Sequence, residues 1–169
     1  YAFDATTGET EWTFTPAGDW EGFTWSSPSI ADGTLYVGSQ NGYLYALDPE
    51  TGTQQWRHDV SSEHNLDLRS APAVVAGTAY VGSYDGTMTA VDADAGTEKW
   101  VFDPVDGSQQ YSRLVETNPA VVDGVVYFGN DADTVFAVDA ATGTERWNRT
   151  LDSAVRSDPT VTGNTVYVG

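Results

Sequence analysis

Short runs rich in β-branched and aromatic residues, separated by tight turns, set the pattern of this chain. Over residues 28–58 these runs are PSIA, TLYVGS, YLYALD and TQQWRH. The turn signals between them are Asp32-Gly33, Asn41-Gly42 and Thr51-Gly52. Such dipeptides join antiparallel strands, and no part of the chain shows a sustained apolar period of 3.6 residues. The pattern therefore predicts units of four short antiparallel strands.

The same unit recurs along the whole chain. A motif, A-x-D-x-x-T-G-x-x-x-W, closes each unit, and its four tryptophans are Trp12, Trp56, Trp100 and Trp147. A second block has its prolines at Pro28, Pro72, Pro119 and Pro159 and its glycines at Gly38, Gly82, Gly129 and Gly169. Repeated four-stranded units of roughly 40–50 residues are typical of β-propellers. We therefore predict an all-β fold, a β-propeller of four-stranded antiparallel blades, with about four repeats in this chain.

The blade boundaries raise the question of ring closure. Residues 1–169 form a single propeller region, with complete blades at approximately 27–59, 71–103 and 118–150. The sequence ends on two strands of a further blade (158–169) and begins on the last strands of one (1–15). These two pieces can form one split blade and close a four-bladed ring. Alternatively, the chain is an arc of a larger propeller, or two copies complete one; we expect the arc.

The motif, followed by a block of the form S-x-P-x-V and V-Y-x-G, resembles the repeat of the pyrroloquinoline-quinone (PQQ) type propellers. The resemblance covers essentially the whole chain, and one departure is Ala95, where the other copies have Thr7, Thr51 and Thr142. Members of that family usually have seven or eight blades, which makes this chain an arc or half of a propeller. Their tryptophan docks against the neighbouring blade. The resemblance therefore implies a structural docking role for Trp12, Trp56, Trp100 and Trp147.

Charge and composition narrow the function. The chain has 25 Asp and Glu, seven Lys and Arg, a net charge of −18 and no cysteine. Nucleic acid and anionic membrane surfaces are disfavoured as partners, because binding to them depends on basic residues. No apolar run approaches the ~20 residues of a membrane span. The acids are dispersed, which is typical of proteins from salt-loving archaea, so we predict a halophilic protein, extracellular or at the cell surface. An ordinary acidic extracellular domain is the alternative.

A candidate binding site lies where the repeats differ. The connections from each motif tryptophan to the next inner-strand proline vary in sequence, and variable loops on a rigid scaffold commonly bind ligands. The position three residues before each proline holds Trp25, Arg69, Glu116 and Arg156. We expect these side chains at the mouth of the central channel, where two arginines favour an anionic or carboxylate ligand. Alternatively, the arginines pair with nearby acids such as Glu116 or Asp158.

An enzymatic interpretation follows from the resemblance. Quinoprotein dehydrogenases hold PQQ over a calcium ion with Glu, Asn and Asp ligands, and Glu116, Asn118 and Asp158 are of those types in the right zone. The alcohol dehydrogenases of that family typically add a vicinal cysteine pair, which is absent here. His58 and His64 share one loop region, but two histidines without further ligands are more typical of a surface than of a zinc site. We assign no catalytic residue, no metal and no cofactor.

The sequence therefore favours a non-catalytic propeller that binds a protein or small ligand at its loop-rich face. Assembly with other blades or with a second copy, which would close the propeller, is a further expectation. A PQQ- and calcium-dependent dehydrogenase domain is the alternative. A sensor domain fused to a signalling module is a third interpretation.

Overall fold

A computed structural model describes residues 1–16, 26–60, 67–104 and 114–169, and these form antiparallel β-sheets. Blade 1 consists of β3 (Ser29–Ala31), β4 (Thr34–Gly38), β5 (Tyr43–Leu47) and β6 (Gln54–Asp59). Blade 2 consists of β7 (Ala73–Val75), β8 (Thr78–Gly82), β9 (Met88–Asp92) and β10 (Glu98–Phe102). Blade 3 consists of β11 (Ala120–Val122), β12 (Val125–Gly129), β13 (Thr134–Asp139) and β14 (Glu145–Thr150). The prediction of four-stranded antiparallel blades is confirmed.

Two smaller sheets flank the blades. They are β1 (Ala2–Phe3) with β2 (Thr10–Trp12), and β15 (Thr160–Thr162) with β16 (Thr165–Tyr167). By sequence, β1 and β2 correspond to the last two strands of a blade, and β15 and β16 to the first two. The two pairs form separate sheets among the described residues. Closure of a ring through one split blade stays a prediction.

The turn residues explain why the chain reverses where it does. Between β3 and β4 the backbone φ is 48° at Asp32 and 77° at Gly33. Positive φ at both central residues is the geometry of a type I′ hairpin turn, whose twist matches that of the flanking strands. Ala76 takes the position of Asp32 in blade 2 with a φ of 50°. The register is thus set locally, at the same place in each blade.

The hydrophobic core fills the seams between successive blades. One cluster joins Tyr36 and Leu44 of blade 1 to Val81 and Val91 of blade 2. A second cluster joins blade 2 to blade 3 in the same way, through residues such as Met88 and Phe136. The first strands of neighbouring sheets also lie side by side, β3 beside β7, β7 beside β11 and β11 beside β15. Blade-to-blade packing therefore positions the segments that lead into those first strands. None of the described residues forms a helix long and apolar enough to cross a membrane.

Candidate functional site

The motif aspartate organises the turn that follows it. In blade 1, Asp48 Oδ1 accepts hydrogen bonds from the backbone N–H groups of Glu50 (2.9 Å) and Thr51 (2.8 Å), and Gly52 follows with a φ of 70°. These bonds stabilise the carboxylate, so the pKa of Asp48 is lowered, chiefly by the Thr51 backbone. The equivalent aspartates with two such backbone bonds are Asp4, Asp92 and Asp139. The motif aspartate therefore stabilises the turn that follows it.

Ala95 removes one interaction from this turn in blade 2. In blade 1, Thr51 Oγ1 donates a further hydrogen bond of 3.0 Å to Asp48 Oδ1. The Ala95 position keeps only the backbone bond, of 2.9 Å, to Asp92 Oδ1. The turn itself is retained, because Gly96 keeps its positive φ of 68°.

Three of the motif tryptophans lie against the next blade. The indole N–H groups of Trp12, Trp56 and Trp100 each donate a hydrogen bond of 3.0 Å to the carbonyl oxygen that follows the next motif aspartate. The acceptors are Pro49, Ala93 and Ala140. The rings cover the next motif glycine so closely that a Cβ at Gly52 would lie 2.5 Å from Trp12 Cε3. These contacts leave the motif no room to hold a ligand.

The candidate site residues lie in the segments that lead into β7, β11 and β15. We call these the leading segments; they are residues 67–72, 114–119 and 154–159. Within one of them the N–H of Val115 donates a hydrogen bond of 3.1 Å to Ser83 O on the preceding blade. Its side chain fills the space beside Gly82, where a Cβ would collide with it. Leu68 is held in the same way, with an N–H bond of 3.2 Å to Ser39 O. The residue that follows each anchored apolar residue is the one singled out from the sequence.

Arg69 and Glu116 come together across two blades. Arg69 Nη1 donates a hydrogen bond of 2.6 Å to Glu116 Oε1, and Arg69 Nε lies 3.4 Å from Asp67 Oδ2. The guanidinium also lies over the Tyr84 ring, 4.6 Å from its centroid. Burial is the largest single influence on Arg69 and opposes its charge, but the hydrogen bond and charge of Glu116, together with Tyr84 and Asp67, outweigh burial, so the pKa of Arg69 is raised. Trp25 lies outside the described residues.

Arg156 forms its own ion pair on the next segment. Its Nε and Nη2 donate to the two oxygens of Asp131 at 3.0 and 2.9 Å. The Asp131 side chain is 13% exposed, whereas that of Arg156 is 68% exposed. The hydrogen bond from Arg156 to Asp131 raises the pKa of the arginine. Arg156 therefore pairs with Asp131, and not with Asp158 as one alternative from the sequence had it.

Asn118 and Asp158 link the leading segments to each other. Asn118 donates from its backbone N–H and from Nδ2 to the two oxygens of Asp158, both at 2.8 Å. Asn118 Oδ1 in turn accepts a 2.5 Å hydrogen bond from the N–H of Ala71. One chain of hydrogen bonds thus runs from blade 2 through blade 3 to the β15–β16 sheet.

Three further residues, Asp67, Tyr84 and Asp131, lie beside the residues singled out from the sequence. We call the polar surface of all six the rim; its other members are Arg69, Glu116 and Arg156. Sequence analysis missed Asp67, Tyr84 and Asp131. Tyr84 and Asp131 occupy the same place in the turn after the second strand, where Gln40 stands in blade 1. That difference between the copies was a usable signal, because variable positions in a repeat mark surface that packing does not determine.

The rim and the adjoining residues Asn118 and Asp158 do not fit calcium-bound PQQ. The residues of suitable type are Glu116, Asn118 and Asp158, and each has an oxygen already occupied by protein donors. Both carboxylate oxygens of Asp158 are used by Asn118, and the Asn118 carbonyl is used by Ala71. Within the part of the chain that the structure describes, no three His, Asp or Glu side chains converge as a metal site would require. No step of chemistry is therefore assigned to a quinone or a metal here.

His58 differs from its expected surface position. Its side chain is only 17% exposed, because it lies in the seam with Nδ1 3.1 Å from Gly96 O of blade 2. Its Nε2 lies 4.0 Å from Glu98 Oε2. His64 falls outside the described residues. The position of His58 between blades indicates packing rather than metal binding.

An apolar cavity lies in the seam between the β1–β2 sheet and blade 1. It has a volume of about 280 Å³ and is lined by residues of both sheets. Its lining includes Trp12, Phe14, Leu35 and Leu47. This cavity is part of a blade seam and adds no polar group to the rim.

Comparisons with known proteins agree with this architecture. BamB from Moraxella catarrhalis is 23% identical with a TM-score of 0.68, and the match covers 85% of this chain and 42% of that one. A quinohemoprotein alcohol dehydrogenase, ADHIIG from Pseudomonas putida HK5, is 31% identical with a TM-score of 0.61, covering 77% of this chain and 20% of that one. The computationally designed Ika4 protein is 20% identical with a TM-score of 0.68, covering 85% of each chain. The chain thus spans less than half of the two natural proteins.

No curated protein matches the sequence significantly. The family model described as outer membrane protein assembly factor BamB, a PQQ-like repeat, matches residues 1–117 and 101–169. Together the two matches span the whole chain. The chain belongs to this BamB-type family of PQQ-like propeller repeats.

Proposed function

We propose that this chain is a non-catalytic propeller scaffold whose rim binds a carboxylate-bearing segment of a partner protein. The observation that carries the proposal is that the leading segments are all held in the same way, whereas the rim residue on each segment differs. Each segment is anchored by the same backbone bond and the same apolar contact. The next side chain differs from copy to copy, as Arg69, Glu116 and Arg156 do. A rigid frame that presents variable polar groups is typical of a recognition surface.

Arg156 indicates the chemistry of the partner. Its Nε and Nη2 are occupied by Asp131, while Nη1 has no acceptor among the described residues and the side chain is 68% exposed. A guanidinium held in place on one side pays little entropy when it binds a carboxylate on the other. The likeness to BamB supports a partner protein, because the family description names an assembly factor.

The test compares two cationic side chains that are both exposed and ion-paired. Arg156 lies on the rim, and Lys99 lies on the outer strand of blade 2, 3.2 Å from Asp92. A photo-crosslinking residue placed at position 156 should capture a partner in cells, whereas one at position 99 should not. Binding of that purified partner should then weaken by about tenfold or more in Arg156→Ala and stay unchanged in Lys99→Ala. Equal crosslinking from both positions, or equal affinities, would overturn the proposal.

The dehydrogenase alternative has a direct assay. PQQ with calcium is titrated into the protein, the quinone absorbance is followed, and dye-linked alcohol oxidation is measured. Neither saturable binding nor oxidation is expected, since the suitable oxygens of Asn118 and Asp158 are already hydrogen-bonded. Saturable binding with oxidation would replace the scaffold proposal by the enzymatic one.

A further inference from the structure

The charges at the rim alternate from one leading segment to the next. Arg69, Glu116 and Arg156 occupy the same position on three successive segments, so one carboxylate follows one guanidinium and precedes another. The order in space is the same, because Asn118 links the three segments by hydrogen bonds two residues after these positions. The strands that follow also lie side by side, β7 beside β11 and β11 beside β15. Glu116 therefore stands between the two arginines.

Both arginines interact with the charge of Glu116. Arg69 Nη1 donates the 2.6 Å hydrogen bond to Glu116 Oε1. Arg156 has its own partner, and the hydrogen bond and charge of Asp131 contribute most to its raised pKa. The negative charge of Glu116 adds to that rise, against the opposing effect of burial. One carboxylate thus stabilises the charge of two guanidinium groups.

Asp131 and Glu116 are held differently by their arginines. Asp131 uses both oxygens on Arg156, and its side chain is 13% exposed. Glu116 uses only Oε1 on Arg69, its side chain is 24% exposed, and its Oε2 has no hydrogen bond among the described residues. A single bond to a partly solvated carboxylate is weaker than a bidentate ion pair. Glu116 is therefore the carboxylate that an external one can displace.

Arg69 keeps other contacts when Glu116 leaves. Its guanidinium lies over the Tyr84 ring, 4.6 Å from the centroid, and its Nε lies 3.4 Å from Asp67 Oδ2. The departure of Glu116 removes the acceptor of Arg69 Nη1, and Arg156 Nη1 already lacks an acceptor within the described part of the chain. Two guanidinium groups that other residues already hold can then bind carboxylates with little loss of side-chain entropy.

We propose that Glu116 is an internal competitor for the rim: it occupies the place on Arg69 that a carboxylate of the partner takes, and the partner binds by displacing it. The inference rests on the proposed function, because it concerns the same surface, and it adds the chemistry of the partner segment. A single carboxylate would only exchange one ion pair for another. The segment therefore carries at least two carboxylates, one for Arg69 and one for Arg156.

A purely structural role for Glu116 gives the opposite expectation. If Glu116 served to position Arg69, its removal would loosen the guanidinium and weaken the binding of carboxylates. If Glu116 competes, its removal strengthens that binding. The sign of the change in affinity therefore separates the two roles.

The test uses a defined probe, a pentapeptide of alternating glutamate and glycine that is blocked at both ends, with its glutamine counterpart as a control that should not bind. Binding to the 169-residue chain is followed by NMR at constant ionic strength, through the Nε–H resonances of Arg69 and Arg156. Glu116→Gln should lower the Kd by about threefold or more, the effect of removing one partly exposed ion pair. Glu116→Asp keeps the charge but withdraws the carboxylate from Arg69 by one methylene, so it should give a smaller gain.

Asp133→Asn is the matched control for charge. Asp133 lies in the same turn as Asp131, between β12 and β13, and its side chain has no hydrogen bond or ion pair among the described residues. Asparagine tolerates the positive φ of 59° at this position. The variant removes the same charge close to the rim and should leave the Kd unchanged.

The outcomes distinguish this inference from the proposed function. A peptide that shifts the Arg156 resonance but binds Glu116→Gln no better than the wild type or Asp133→Asn would overturn the competition and leave the scaffold proposal intact. An absence of any gain in Glu116→Asp would overturn it too, because net charge alone would then explain the effect of Glu116→Gln. A peptide that reaches neither arginine in any variant would overturn both proposals.

Discussion

Replacing Trp100 by alanine should cost far more stability than replacing Trp147, although both occupy the same place in the repeat. Trp100 is 8% exposed, donates a hydrogen bond of 3.0 Å to Ala140 O and covers Gly143. Truncation of a buried tryptophan in a core costs about 3–5 kcal/mol. Among the described residues, Trp147 contacts Tyr127 and covers no motif turn, so its loss from these 169 residues should stay below about 2 kcal/mol.

The assay is urea unfolding at low protein concentration, followed by far-ultraviolet circular dichroism so that the missing indole does not alter the signal. Thermal unfolding is a second measurement. A difference of about 2 kcal/mol in the free energy of unfolding between the two variants corresponds to about 4–8 °C in the thermal midpoint for a chain of this size. Trp100→Phe retains a ring and removes the indole N–H. It should therefore be more stable than Trp100→Ala. Equal losses for Trp100→Ala and Trp147→Ala would refute the idea that the contact with the next blade carries the stability.

Three further predictions concern the motif glycines, the dependence of stability on pH, and its dependence on salt. Gly143→Ala should destabilise the fold by more than Gly8→Ala, since both impose positive φ on alanine but only the first collides with Trp100; thermal melts that coincide would contradict this. The hydrogen bond from Arg146 lowers the pKa of Asp139 from 3.8 to about 2, so its stabilising contribution is complete above pH 3.8 and disappears as the pH falls to about 2. The advantage of the wild type over Asp139→Asn, measured by urea unfolding, should shrink over that interval, and a constant difference would rule it out. Self-repulsion of the net charge of −18 predicts loss of the folded circular dichroism signal below molar KCl, an idea that full stability in dilute buffer would defeat.

The blades could be predicted from the sequence because their determinants are local. The runs predicted for blade 1 match β3 to β6 to within about two residues at each end. Asp32 and Gly33 place a turn by their own backbone preferences, and Asp48 holds the next turn with its own side chain. Such interactions span a few residues and recur wherever the motif recurs.

The rim could be predicted only in part. The positions of Arg69, Glu116 and Arg156 followed from aligning the copies, and the pairing of Arg69 with Glu116 was one of the alternatives considered. The partner of Arg156 was not foreseen, because Asp131 comes from a turn 25 residues earlier in the chain. How close two such loops lie depends on the packing of the segment around Val155 against Gly129, which no local pattern reports.

By itself, then, the sequence determined the repeat, the strands and the turns, since these depend on short-range backbone preferences and side-chain alternation. The repeated motif also carried the resemblance to the family. The tertiary structure decided which tryptophans are covered and which carboxylate each rim arginine meets. Both depend on how whole blades pack against one another, because the distance between two loops, or between a tryptophan and the next turn, is set by the packing of the blades that carry them.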